Sequence, residues 1–146
     1  MIYISHRGNI SNVNSELENS PDYITEALKQ GYHVEIDLWR VDNILYLGHD
    51  EPQYKIHQDF LNNKYFYVHC KNNDALLFMS KNPMECDYFW HQDDKYTLTS
   101  KNIIWVHPSA PLLEDSICVL PEISRNSDLS LCYGICSDYI ERYKNA

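Results

Sequence analysis

A chain of 146 residues has room for one hydrophobic core and not for two well-separated ones, so a single domain spanning 1–146 is expected. Its net charge of −9 repels a nucleic-acid backbone, which excludes a broad phosphate-tracking surface; no nucleic-acid partner is expected, and any phosphate is met locally. No apolar run approaches the length of a bilayer span, and the opening MIYISHRG has neither a basic n-region nor an apolar h-region, so the expectation is an unexported cytoplasmic chain without a membrane span.

The five cysteines, Cys70, Cys86, Cys118, Cys132 and Cys136, form no CxxC pair, and three fall inside apolar runs that read as buried strands. Reduced core thiols are expected. The C-x3-C spacing of Cys132 and Cys136 is a weak metal signal, because the intervening YGI reads as strand.

In chain order, IYISHRG (2–8) alternates, with Ile2, Ile4 and His6 on one face and Tyr3, Ser5 and Arg7 on the other. Asn19-Ser20-Pro21-Asp22 supplies an N-cap, a proline at the first helical position and a first-turn acid, so a helix is predicted to follow and to stop at Gly31. HVEIDLW (33–39) then alternates strictly: Val34, Ile36 and Leu38 on one side, His33, Glu35, Asp37 and Trp39 on the other. Strand, helix and strand predict a right-handed βαβ unit with parallel strands. The chain turns at Asp42-Asn43 and returns as a strand at 44–48. YFYVHCK (65–71) reads as a strand and NDALLFMSKN (73–82) as a short amphipathic helix. Further strand candidates are 86–91, 102–108, 116–122 and 131–139. Interleaved strands and helices indicate an α/β fold with a largely parallel sheet, doubly wound or closed as a barrel; both place ligands at the C-terminal strand ends.

Ionisable residues recur at those ends: His6 and Arg7, Glu35 and Asp37, His49 and Asp50, His69 and Lys71. In a parallel sheet they converge on one side. Glu35 and Asp37 point the same way, and two adjacent carboxylates repel unless a cation lies between them; a solvent-exposed edge strand is the competing reading. Hard oxygen donors suit Mg²⁺, Ca²⁺ or Mn²⁺. His6 and His49 are candidates for general acid and base, Arg7 for a phosphate clamp, His69 for a metal ligand and Lys71 for neutralising an anionic substrate. Taken singly, each is more often a structural group. Tyr67, Trp90 and Trp105 are aromatic candidates for a pocket wall, with core packing expected for at least two; His107 also stands at a strand end.

S-H-R-G (5–8), E-N-S (18–20) opening a helix, G-Y-H-V-E-I-D-L (31–38) and L-Y-L-G-H-D (45–50) together resemble the glycerophosphodiester phosphodiesterase family, within the phospholipase-C-like phosphodiesterases. VHCKN (68–72) resembles the family strand ending in E-x-K, with His69 at the glutamate position, and GICSDY (134–139) resembles the closing strand. The resemblance implies a (β/α)8 barrel. Such barrels need about 250 residues, so a compact, trimmed TIM-type barrel with shortened or missing outer helices is expected, and a homodimer would cover apolar surface left bare. It also implies His6 and His49 as the acid–base pair, Arg7 as phosphate ligand, and Glu35 and Asp37 as metal ligands in cleavage of a small glycerophosphodiester-like substrate. Histidine at position 69 lowers the charge of the metal site and favours Mn²⁺ or Zn²⁺ over Ca²⁺ or Mg²⁺. The alternatives are a non-catalytic module that binds a phosphorylated ligand on a degenerate barrel, and a lyase releasing a cyclic phosphate.

Overall fold

The computed structural model describes residues 1–124 and 128–146. It is a mixed α/β structure built on one ten-stranded sheet. β1 (Ile2–His6) leads through α1 (Pro21–Lys29) to β2 (His33–Val41). β3 (Ile44–Leu47) and β4 (Tyr54–Ile56) follow as an antiparallel extension of β2. Next come a 3₁₀ turn at Gln58–Leu61, β5 (Phe66–Cys70), α2 (Asn73–Lys81), β6 (Asp87–Trp90), β7 (Tyr96–Leu98) and β8 (Ile104–Val106). The chain ends with β9 (Ile117–Val119), β10 (Gly134–Ser137) and α3 (Ile140–Lys144).

Local chemistry explains the first unit. Ser20 caps α1 by accepting a hydrogen bond from the amide of Tyr23, Pro21 takes the position whose N–H would be unpaired, and Gly31 lies just past the end at φ 84°. Ile24 and Ala27 bury the inner side of α1 against β2. Asp42 and Asn43 both have positive φ, the conformation a two-residue hairpin between β2 and β3 demands and Asn and Asp tolerate.

The strands β6-β5-β2-β1-β10-β9-β8 are parallel, and β7 pairs antiparallel with β8. The two faces of this sheet are packed differently. Val34, Ile36 and Leu38 of β2, with Phe66, Val68 and Cys70 of β5, pack outward under α1 and α2. Ile4, Tyr67, Phe89, Trp105, Ile117, Val119 and Cys136, drawn from β1, β5, β6, β8, β9 and β10, form a second cluster on the other face. Phe89 of β6 and Trp105 of β8 lie 4.7 Å apart between ring centroids although their strands are at opposite ends of the parallel run. Asp87 of β6 accepts from Thr99 Oγ1 at 2.7 Å, Ser100 Oγ at 2.7 Å and Lys101 N at 3.0 Å, and Ser100 N donates to Tyr88 O. Among the described residues these contacts between β6 and the chain around β7 and β8 are made by side chains and single main-chain hydrogen bonds, with no strand ladder.

Among the described residues α1, α2 and α3 are the only α-helices, and irregular chain follows β8 and β9. The predicted strands all form, several shorter than expected. β4, β7, the 3₁₀ turn and α3 are additions that the hydrophobic pattern did not signal. All five cysteines are buried and unpaired. No helix among the described residues is long and apolar enough to cross a membrane.

Candidate functional site

The register of the central strands brings the polar ends together. His6 pairs with Glu35 across β1 and β2, and Asp37 pairs with His69 across β2 and β5, so all four side chains share the inner face at successive levels. Arg7 and His49 join them from the following loops, and Lys71 from just past β5. With these groups the cavity measures about 420 Å³.

Arg7 reaches the site by a route that alternation does not give. A continued strand would turn it away from His6, but Arg7 has φ 57°, which ends β1 and swings the side chain back over β2. Its Nε lies 3.1 Å from Asp37 Oδ2 and its Nη1 3.4 Å from Glu18 Oε2. Asn19, also left-handed at φ 64° and fully buried, grips Asp37 at both ends: Nδ2 donates to Oδ2 at 2.8 Å and Oδ1 accepts from the Asp37 amide at 2.9 Å.

His6 is fixed by Asp138, beyond β10. Nδ1 donates to Asp138 Oδ1 at 2.7 Å, which leaves Nε2 facing Glu35 Oε2 at 3.7 Å. Asn9 donates to the same Asp138 oxygen at 2.8 Å and to Glu18 Oε1 at 2.9 Å, tying the two carboxylates that steer His6 and Arg7. Burial alone lowers the pKa of His6, but the Asp138 hydrogen bond and the Glu35 charge outweigh it and raise it. His49 is 41 % exposed, with Nδ1 2.7 Å from Asp50 Oδ1. Partial burial and the Arg7 charge lower its pKa. Gly48 makes its position possible, since a Cβ there would collide with the Glu51 carbonyl.

Glu35, Asp37 and His69 offer ligand atoms that lie within 4.8 Å of one another. Burial and the Asp37 charge push the Glu35 carboxyl up. For Asp37 burial works the other way from its partners, and the hydrogen bond and charge that a protonated His69 ring supplies, with Arg7 and Asn19, prevail and hold it below the usual carboxylate range. Glu35 Oε2 and Asp37 Oδ1 are buried without a hydrogen-bond partner, although the cost of leaving such an oxygen unmatched is about 1–3 kcal/mol or more. His69 Nε2 donates to the carbonyl of His91 at 2.9 Å, so in the neutral ring Nδ1 is an acceptor. That acceptor lies 3.3 Å from Asp37 Oδ1 and 3.8 Å from Glu35 Oε1. Three acceptors aimed at one point, one of them an imidazole whose other nitrogen is tied to a carbonyl, fit a cation. Charge argues alike: Glu18, Glu35, Asp37 and Asp138 outweigh Arg7 and Lys71.

His6, Arg7, Glu35, His49, His69 and Lys71 thus line one cavity, and Asp37 lies against Glu35 and His69 beneath it. Glu18 and Asn19, quoted only in the E-N-S motif and the helix start, Asp138, quoted only in GICSDY, and Asn9 hold those residues in place and were given no site role from the sequence. Asp138 had a usable signal, an acid just past a strand of the parallel run. Tyr67 and Trp105 are core residues, each 4 % exposed, with Trp105 also forming the cavity floor, whereas Trp90, His91 and His107 line its far side. No protein-family model, no curated protein and no solved structure matches the chain.

Proposed function

We propose that the chain is a metal-dependent phosphodiesterase that cleaves a small glycerophosphodiester-like substrate, carried on a trimmed (β/α) barrel. The barrel reading is supported by the inner cluster that joins β6 to β8 through Phe89 and Trp105. The observation that carries the function is the Glu35–Asp37–His69 cluster, with Asp37 Oδ1 unmatched 3.3 Å from His69 Nδ1 and Glu35 Oε2 unmatched on the His6 side, between two histidines and an arginine. All of these residues except His69, which stands where the family has glutamate, carry the resemblance to glycerophosphodiester phosphodiesterases.

Glu35, Asp37 and His69 would hold a divalent ion, Mg²⁺, Ca²⁺ or Mn²⁺, with Zn²⁺ admitted by the imidazole. When bound, the ion supplies Lewis-acid polarisation of a phosphoryl oxygen and offsets the excess of carboxylates. Arg7 keeps Nε on Asp37 and presents the rest of its fork to phosphate oxygens, and Lys71 adds a second positive charge at the strand end. His6, held by Asp138, and His49, held by Asp50, carry protons to and from the attacking and leaving oxygens. Asn9 and Asn19 keep the carboxylates from rotating.

The test is release of alcohol from glycerophosphodiesters with each metal added in turn. Turnover no higher than that of a His6→Ala, His49→Ala double variant would remove the hydrolytic reading and leave a phosphate-binding module. A cyclic phosphate product in the ³¹P spectrum would assign a lyase.

A further inference from the structure

Beyond the Glu35–Asp37–His69 cluster the cavity continues into a half that the chemistry above does not use. It is walled by the ends of β6 and β8. His91 and His107 stand beside each other there, ring centroids 5.6 Å apart and tilted by 32°, and His91 lies 6.0 Å from His69. Trp105 forms the floor against Phe89, and Trp90 and Gln92 complete the wall.

Hydrogen bonds decide what the two imidazoles offer. The amide of Ser109 donates to His107 Nδ1 at 3.2 Å, so the neutral ring carries its proton on Nε2. His91 Nδ1 is paired with Thr97 Oγ1 at 3.0 Å. Each ring therefore has one nitrogen tied to the protein and Nε2 left for a ligand.

The surroundings narrow the ligand. Among the described residues Arg7 and Lys71 are the cavity's only lysine or arginine, and both act on His49 rather than on His91, so a second phosphate beside His91 would meet no counter-charge from them. A flat base sandwiched between two rings needs about 7 Å between them, two contact distances of about 3.5 Å. His91 and His107 are closer than that, so they make a one-sided platform. Indole and imidazole surface, with donors on the histidines, a donor and an acceptor at Gln92 and acceptors at Asp93, matches a saturated ring whose hydroxyls both give and accept hydrogen bonds.

We propose that this half of the cavity is a subsite for one alcohol substituent of the diester, and that it takes a neutral hydroxylated ring, a sugar or cyclitol. The inference rests on the phosphodiesterase reading, because the phosphate anchors the ring.

The test is calorimetric titration of the full chain in Mn²⁺ buffer with inorganic phosphate, glucose 1-phosphate, inositol 1-phosphate, phosphocholine and AMP. At least one of the two ring phosphates is expected to bind about tenfold or more tighter than phosphate, about 1.4 kcal/mol, with no such gain for phosphocholine or AMP. A His91→Ala, His107→Ala variant is expected to lose the gain and keep phosphate affinity within about twofold. A His91→Phe, His107→Phe variant, which keeps ring faces and deletes the nitrogens, covers the case in which the alanine variant does not fold, and is expected to lose most of the gain. Phosphate binding with no ring gain, a gain that survives the variants, or a gain given to phosphocholine or AMP instead would overturn the subsite. Failure of the wild-type chain to bind phosphate at all would overturn the reading of the centre, and the subsite with it.

Discussion

His69 donates from Nε2 to the carbonyl of His91 at 2.9 Å and thereby turns its Nδ1 toward Asp37 Oδ1, 3.3 Å away. The carbonyl fixes both the ring orientation and the tautomer, which is what a histidine ligand requires of its second contact. A glutamate at this position would add charge; histidine adds a softer, neutral donor.

Replacing His69 should therefore change both affinity and preference. His69→Ala is expected to weaken Mn²⁺ binding by about 10–100-fold, in line with the loss of an oriented ligand. His69→Glu is expected to move the preference from Mn²⁺ and Zn²⁺ toward Mg²⁺ and Ca²⁺. Competitive calorimetric titration reads both. Equal Mn²⁺ affinity in wild type and His69→Ala would show that the ion, if bound, lies elsewhere.

The His6–Asp138 pair makes stability depend on pH in a defined direction. His6 is raised above its ordinary 6.5, so its contribution is complete below that value and is lost as pH rises through the folded pKa. Asp138 is lowered below its ordinary 3.8, so its contribution is present above that value and is lost as pH falls through the folded pKa. Both contributions are complete between about pH 4 and 6.5. Asp138→Asn is expected to cost about 1.5–3 kcal/mol there and less at pH 9. Denaturant unfolding at pH 5.5 and 9, in chelator to keep metal out of the comparison, measures the difference; a gap that widens at high pH would contradict the assignment.

Asn19 combines a left-handed backbone with a two-ended grip on Asp37. Asn19→Gly keeps the backbone and deletes the grip, leaving the Asp37 amide unpaired, at an expected cost of about 1–3 kcal/mol. Asn19→Ala adds strain of about 1 kcal/mol. The order wild type, glycine, alanine in urea midpoints checks the two terms separately. An alanine variant as stable as the glycine variant would remove the strain argument.

Asp87 ties the free end of the sheet to the chain around β7 with a hydroxyl on each oxygen and the Lys101 amide. Asp87→Ala strands Thr99 and the Lys101 amide in a mostly buried place. It is expected to lower stability by about 2–4 kcal/mol and to raise hydrogen exchange selectively at β6 and β7. Uniform exchange across the sheet would mean that these contacts do not hold the ends together.

The alternation of HVEIDLW, the capping signals around Ser20 and the positions of polar residues at strand ends are local properties, and they sufficed to set α1, β2 and the convergence of His6, Glu35, Asp37, His69 and Lys71; His49 follows β3, which runs antiparallel to β2, so its place in the cavity was not given by a parallel strand end. Periodicity reports which face a side chain takes, and strands of one parallel run put their ends on one side whatever lies between them. Local pattern did not reach the partners that fix these groups. Asp138 stands 132 positions from His6, and His91 O stands 22 positions from the ring it orients. Arg7 enters the site only because its backbone leaves the strand conformation, a choice made by the contacts of Asn19 and Glu18. The curvature that brings Phe89 to Trp105 and opens the far half of the cavity also belongs to the tertiary structure. Curvature accumulates over the whole sheet and is fixed by packing between residues that no short window of sequence contains.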